Sequence, residues 1–437
     1  VFRTKGDHVP TRAIRACLIT NPRGGQGRLD IGPTLAVLRA HGWQPDVREK
    51  EYGGHATELA WLAARAGYDV VVGCAGDGTL NEIANGLAGT AVPLGVLPAG
   101  TVNLWSRELG VSLRLERAAV QLVEARRRRI DLGQLIVAGT HTRYFLLMAG
   151  LGVDGAVMGR VSKPLKRRIG RAAVGLAIAQ SLPALRTVRI TAELDGHRWR
   201  GRVSELIVGN TRLYGGFTSV TPDAYVDDGL LDTVLITAAD PVAAGRQLAS
   251  LLIRRHPDSS SSRTYRVAAL SIRSAHPLPV QIDGGVLKLK ELQPKGEGIH
   301  YQFSTLAQGL TVLVPADYHG KLFLREPLAG QIVPADRRDG GPMPEGDPDA
   351  AEEALKGVLR VVSVADDTIR AARLRSGRIW TLQLTGKTAL QDAEGQERPL
   401  HTSPGAIRPG AVVRVKGKKD RDAHTIAARR VTLLQGA

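Results

Sequence analysis

The chain has 437 residues, 59 of them Lys or Arg against 42 Asp or Glu, giving a formal net charge of +17; 43% are hydrophobic and 4% aromatic. That length suggests two or three domains rather than one core, and the apolar fraction excludes a disordered chain. No apolar run is long enough to read as a membrane-spanning helix, while the charge favours polyanionic partners: phosphate groups, nucleic acid or an anionic lipid surface.

The opening residues, "VFRTKGDHVPTR", hold no apolar core of a signal peptide. Cys17 and Cys74 lie in apolar, strand-like runs and read as buried core thiols rather than a disulfide or metal site. Together these features predict a cytoplasmic protein. Basic clusters occur at Arg126 to Arg129, Lys163 to Arg171, Arg254 and Arg255, and Arg414 to Arg421; each alone can be a solvated face.

From residue 14 to 110, short apolar runs alternate with helical periods. "IRACLIT", "PDVREK", "YDVVVGC" and "PLGVLP" read as strands, and "IGPTLAVLRAHG", "ATELAWLAARAG" and "LNEIANGLAG" as helices. This alternation predicts an α/β nucleotide-binding domain over 1–133, with a parallel sheet whose ligands bind at the carboxyl ends of the strands. Residues 134–333 then switch to strand-like runs separated by Gly and Asp turns, predicting an antiparallel β-sandwich interrupted by one helix at about 165–186. Residues 334–354, rich in Pro, Gly and acid, read as a linker. Residues 355–437 give five or six short alternating strands and predict an OB-like β-barrel of unknown role.

Three glycine turns follow strands of the first domain: "NPRGGQGR" (21–28), "GDGTLNE" (76–82) and "PAGTVN" (98–103). Parallel strands end on one side, so all three share one sheet edge. Glycine lets backbone N–H groups approach an anion, and a helix N-terminus adds partial positive charge. Each turn alone is also compatible with a plain βα connection. Thr79 and Glu82 have the spacing of a capping box. A carboxylate at Asp77 would repel phosphate unless it takes a proton from an attacking hydroxyl or holds Mg²⁺, and both roles belong to phosphoryl transfer. No P-loop, dinucleotide fingerprint or protein-kinase signature is present.

The blocks "NPRGGQGR", "AGDGTLNEIANGL", "LGVLPAGTVN", "IDLG" (130–133), "GNTRLYGGFTSVTPDAYVDDGLLD" (209–232) and "QIDGG" (281–285) resemble, in order, the diacylglycerol kinase catalytic family, which includes bacterial lipid kinases and sphingosine kinases. The resemblance covers about 14–316 and leaves the C-terminal barrel unexplained. It implies an ATP- and Mg²⁺-dependent kinase that phosphorylates a lipid hydroxyl, with nucleotide on the first domain and lipid presented from the second. By similarity, Gly76, Asp77, Gly78, Thr79, Leu80, Asn81, Glu82, Gly100 and Thr101 line the ATP site, with Asn21 and Lys50 near the phosphates and Asp131 by the nucleotide or its metal. Asp228 with the carbonyls of Tyr225 and Leu230 matches a structural Mg²⁺ position, although "VDDGLLD" also reads as a tight turn before a strand. Asp77 is the expected catalytic base.

Four positions depart from the family's pattern: Ala75 replaces a Gly before Gly76, Leu104 an Asp, Lys50 a Thr, and Gly285 the Glu of a late Asp-Gly-Glu. The last removes the family's proposed proton acceptor and keeps a second reading open, a non-catalytic lipid- or nucleotide-binding relative. The basic stretch "SKPLKRRIGRAAVGLAIAQSLPALR" suits peripheral adsorption on anionic phospholipid or packing on its own sheet. Residues 351–437 hold 16 Lys or Arg against 9 Asp or Glu, a net +7, which raises nucleic-acid binding as a further reading. Trp380 is the sole aromatic residue there, which argues against a base-stacking surface. The sequence is compatible with a homodimer and leaves the lipid acceptor undefined.

Overall fold

The computed structural model describes residues 13–22, 30–152, 187–214, 218–237, 262–287, 298–328 and 357–435, the last with short gaps. The helix expected at 165–186, the linker at 334–354 and most of "NPRGGQGR" lie outside the described residues.

The first unit runs β1 (Ile14–Thr20), α1 (Gly32–Ala40), β2 (Trp43–Glu49), α2 (His55–Arg65), β3 (Val70–Ala75), α3 (Asp77–Leu87), β4 (Leu94–Pro98), α4 (Leu104–Glu108) and α5 (Leu115–Val123). β1 to β4 pair in parallel in the order β2-β1-β3-β4. Every residue of β3 is buried, as a strand covered on both faces requires. Cys17 and Cys74 are free and buried, and burial pushes their thiols up to about 12 and about 11.

The second unit continues with β5 (Arg126–Val137), β6 (His141–Phe145), β7 (Met148–Gly152), β8 (Val188–Leu194), β9 (His197–Val203) and β10 (Glu205–Gly209). After them come β11 (Leu213–Tyr214), β12 (Thr218–Ser219), β13 (Leu231–Ile236), β14 (Ser262–Val267), β15 (Ala269–Ser274), β16 (Val280–Ile282), β17 (Gly285–Leu287) and β18 (Ile299–Val314). β14-β13-β10-β7-β16-β17 form one antiparallel sheet, which packs on the β18-β15-β8-β9 extension of the first sheet through Phe145, Val208, Leu235, Ile272 and Phe303.

The boundary read at residue 133 falls inside β5, because one sheet is shared by both units. The 16-residue β18 pairs with β15 through its first half, and its Val312 lies in parallel register with Leu94 of β4. From Tyr301 to Val314 it pairs with β5, with a register shift between Leu306 and Leu310.

From residue 357 on, β19 (Val358–Ala365), β20 (Thr368–Arg373), β21 (Ile379–Gln383), β22 (Ala389–Gln391), β23 (Glu397–Pro399), β24 (Val412–Asp420) and β25 (Thr425–Gln435) form a further sheet. The parallel pairing of β21 with β25 joins β21-β20-β19-β24-β25 into a closed ring around Val361, Ala371, Leu382, Val413 and Val431. The ring is not a free-standing appendage. Val358 and Val412 belong to the core of the first unit, and the Thr142 and Ile379 N–H groups exchange bonds with Gly377 and Thr140 carbonyls at 2.8 and 2.7 Å.

Candidate active site

The second and third glycine turns meet, and Asn21, at the start of the first, reaches the second. Asn21 follows β1, Gly76 follows β3 and Gly100 follows β4, and the last two pack backbone on backbone: a Cβ on Gly100 would lie 2.5 Å from the Gly76 Cα. No side chain fits between them, which explains glycine at both positions. Asn21 Nδ2 donates to Thr79 Oγ1 at 3.1 Å, tying the first turn to the second. Asn103 Oδ1 and Nδ2 close the third turn on the Gly100 N–H and carbonyl at 2.7 and 2.9 Å. Thr101, in that same turn, is exposed.

Two expectations about α3 need correction. The helix begins at Asp77 with Gly76 as N-cap, so Thr79 and Glu82 lie inside it and form no capping box. Glu82 instead pairs with Lys50 at 2.5 Å and accepts the Ala56 N–H at 3.3 Å. Asp77, expected as the base, has both oxygens engaged by a neighbouring helix: Oδ2 accepts the Leu104 N–H and Oδ1 the Trp105 N–H, each at 3.0 Å. These are the first amides of α4, whose own N-cap residue, Asn103, makes no side-chain cap. The carboxylate in the glycine turn is thus itself the anion that a helix N-terminus binds. It does not line the cleft described below.

The neighbouring unit reaches α3 through Asp283. Asp283 and Gly284, at φ +46° and +76°, form the two-residue turn between β16 and β17, a conformation that asparagine, aspartate and glycine tolerate. The carboxylate is buried and accepts four bonds: from Leu146 N–H and Asn81 Nδ2 on Oδ2, both 2.7 Å, and from Leu147 and Met148 N–H on Oδ1, both 2.9 Å. Burial pushes its pKa up to about 6 in spite of those donors. Asn81 also donates to the Tyr144 carbonyl at 3.0 Å, as does Asn85 at 2.9 Å, so one face of α3 is stitched to β6.

Between α3, β6, the β16–β17 turn and the C-terminal ring lies a cavity of about 1150 Å³. Gly53, Gly78, Asn81, Glu82, His141, Arg143 and Gly285 line it from the first two units, and Arg373, Arg378, Trp380, Lys419 and His424 from the ring. Burial pushes the Arg143 guanidinium down to about 10, opposed by Glu82, and it stays cationic at neutral pH. The sequence pointed to the α3 side of this cavity. It did not point to Arg143 or the ring residues, and it reached Asp283 only as part of the "QIDGG" block; the arginines flanking Trp380 were the signal available for the ring.

Asp131 and the expected metal ligands lie elsewhere. Asp131 is buried, and its oxygens accept the Gly229 and Gln308 N–H groups, both at 2.6 Å. Burial raises its pKa. It clamps the "DDG" turn to the irregular segment of β18, a structural duty for the residue expected beside the nucleotide. Asp228 Oδ1 accepts the Leu230 N–H at 2.9 Å, and its Oδ2 lies 3.9 Å from Arg266 Nη2. Arg266 also reaches Asp232 at 3.5 Å and the Asp223 carbonyl, and lies over the Tyr225 ring with its Cζ 5.5 Å from the centroid. Arg266 is thus the cation beside Asp228, the side-chain member of the set expected with the carbonyls of Tyr225 and Leu230, and among the described residues no cluster of three or more His, Cys, Asp or Glu could hold a metal. Nor is any described helix long and apolar enough to cross a membrane.

Comparison with known proteins agrees with the geometry. Residues 15–135 match the diacylglycerol kinase catalytic domain and residues 148–293 the YegS C-terminal NAD kinase beta sandwich-like domain. The chain is 34% identical over 295 residues to the Pseudomonas savastanoi pv. phaseolicola protein named "Probable lipid kinase YegS-like", covering 66% of this chain and 90% of that one. It is 29% identical over 276 residues to the diacylglycerol kinase of Bacillus subtilis (strain 168), covering 62% and 89%. A diacylglycerol kinase structure from Bacillus anthracis str. Sterne shares the fold, with a TM-score of 0.52 at 22% identity over 70% of this chain and 98% of that one. With its two family domains in sequence and a relative 34% identical that it covers to 90%, the chain belongs to the diacylglycerol kinase and YegS-like family of lipid kinases.

Proposed function

We propose that this protein transfers the γ-phosphate of Mg·ATP to the primary hydroxyl of a diacylglycerol or related lipid, with Mg²⁺ arriving as the nucleotide's counter-ion. The observation that carries this reading is the cavity itself, which joins the "GDGTLNE" helix to the "DGG" turn in a space large enough for a nucleotide and an acceptor headgroup.

Phosphoryl transfer passes through a loose transition state with charge spread over the equatorial oxygens, so positioning and electrostatics supply most of the catalysis. Arg143, in the cavity wall, and the amides at the start of α3 offer positive charge to the moving phosphoryl group. Lys50 pairs with Glu82 and offsets its negative charge. Asp77 acts through α4, keeping the "PAGTVN" turn against Gly76, and is a positioning residue. Transfer of label from Mg·ATP to a panel of diacylglycerol, a sphingoid base and phosphatidylglycerol in mixed micelles tests the reading; no labelled lipid in any arm would refute it.

Gly285 favours one other reading, a lipid- or nucleotide-binding relative without turnover, since position 285 brings no carboxylate to the cavity lining. The same assay separates the two. Peripheral adsorption on anionic phospholipid is part of the proposal and rests on the basic segment at 163–171. We further read the C-terminal ring as OB-like, an assignment supported by its strand order and parallel closure.

A further inference from the structure

The family domains end at residue 293, yet the cavity's outer wall is built by residues beyond 370. We infer that the C-terminal ring is a fixed part of the active site, and that Arg373, Arg378 and Lys419 bind a phosphate group of the ligand in the cleft, either the polyphosphate of the nucleotide or the headgroup of a phospholipid. This rests on reading the cleft as the site of phosphoryl transfer.

Three observations support it. The ring is held against the helix that bears the site: the buried Arg360 of β19 donates to the Asn85 carbonyl and, at 3.1 Å, to that of Gly86, in the last turn of α3. A cation there complements the helix dipole. The segment between β20 and β21 is joined to β6 by the Thr142 to Gly377 and Ile379 to Thr140 bonds, which fixes Arg378 beside Arg143 along one wall. Finally, among the described residues of the lining, Arg143, Arg373, Arg378 and Lys419 supply positive charge, while Glu82 pairs with Lys50. Low-dielectric walls focus such a field on an anionic ligand, and arginine forks match phosphate geometry.

The test uses the full-length chain with Arg373→Gln, Arg378→Gln and Lys419→Gln combined, and a control carrying Lys416→Gln and Lys418→Gln, exposed cations of the same strand outside the cavity lining. ATP binding is measured by equilibrium dialysis and vesicle binding by sedimentation with phosphatidylglycerol in phosphatidylcholine. The triple variant is expected to lose at least tenfold affinity in one arm, with the control within twofold of wild type. Loss in the ATP arm assigns the cations to the polyphosphate, and loss in the vesicle arm to the headgroup. Unchanged binding in both arms, or equal loss in the control, overturns the inference. Should the triple variant fail to fold, Arg373→Gln alone, at an exposed position, carries the test. Wild-type chain that binds through these cations without phosphorylating lipid would refute the proposed function and leave this inference standing; lipid phosphorylation with cation-independent binding would do the reverse.

Discussion

Asn81 Nδ2 donates to Asp283 Oδ2 at 2.7 Å, a bond between residues 202 positions apart that joins the "GDGTLNE" helix to the "DGG" turn across the cleft. Asn81→Ala leaves the buried carboxylate with three donors instead of four. Bonds to charged groups contribute about 1.5–3 kcal/mol, so a loss of about 2 kcal/mol in unfolding free energy is expected, measured by urea denaturation at pH 7. A change below about 0.5 kcal/mol would mean that the two units are held together elsewhere.

The same carboxylate sets a pH dependence. Its pKa of about 6 in the native protein lies above the ordinary carboxylate value. Between about pH 4 and 6 the native state holds a proton that the unfolded chain has released, so this group's stabilising contribution is full at the acid end and is lost as pH rises through 6. The span is on the order of 2–3 kcal/mol. Asp283→Asn, whose side chain also tolerates positive φ, does not titrate, so the difference between wild-type and variant unfolding free energies should carry that slope across pH 4–7. A flat difference would place the Asp283 titration outside this window.

Much of the first unit was legible because its signals are local. The run "YDVVVGC" read as a strand of a parallel sheet, and the glycine turns read as sharing one edge of that sheet. What was not legible depends on partners far away in sequence. Nothing around Asp77 reveals that its oxygens accept amides of Leu104 and Trp105, and nothing in the apolar pattern of β18 reveals that it serves both units. The capping-box spacing of Thr79 and Glu82 was misleading, because the helix starts two residues before Thr79 and Lys50 claims the glutamate. A charge-rich C-terminal barrel suggested a polyanion partner without showing that its cations line the cleft.

Asp77→Asn separates capping from proton transfer. The amide keeps one acceptor for α4 and turns a donor toward the other N–H, which should cost about 1 kcal/mol. The expected kinetic signature is a higher KM for ATP, as the "PAGTVN" turn loosens, with the shape of the pH profile of kcat retained. Loss of the acid limb of that profile would restore Asp77 to the role of proton acceptor.

Arg360→Met tests how the ring is held. The substitution removes both bonds to the end of α3 while relieving the cost of a buried guanidinium, whose pKa burial lowers. Breaking such a contact outweighs that relief when the partner carbonyls stay buried, and about 1–3 kcal/mol should be lost. The loss is expected first in the ring, read as faster amide exchange in 357–435 than in 30–152. Uniform exchange across both segments would show that the apolar contacts of Val358 and Val412 hold the ring without it.

Gly285→Glu asks whether a carboxylate can be returned to the turn. Gly285 is exposed, lines the cavity, and is not among the residues with positive φ, so an L side chain meets no backbone strain there. A Cβ at this position would meet only the Ile282 carbonyl, at 3.3 Å, a contact relieved by a few tenths of an ångström. The new side chain would stand on the lining of the cavity that Asn81 and Arg143 also line, where the proposed function puts the acceptor. General-base assistance contributes roughly 10²–10⁴-fold where it is well placed. An unrefined substitution should recover at least tenfold in kcat for lipid phosphorylation, and Gly285→Ala should recover none. If Gly285→Glu leaves kcat unchanged while ATP still binds, proton removal is not what limits this enzyme, and the cations of the cleft are the groups on which its rate depends.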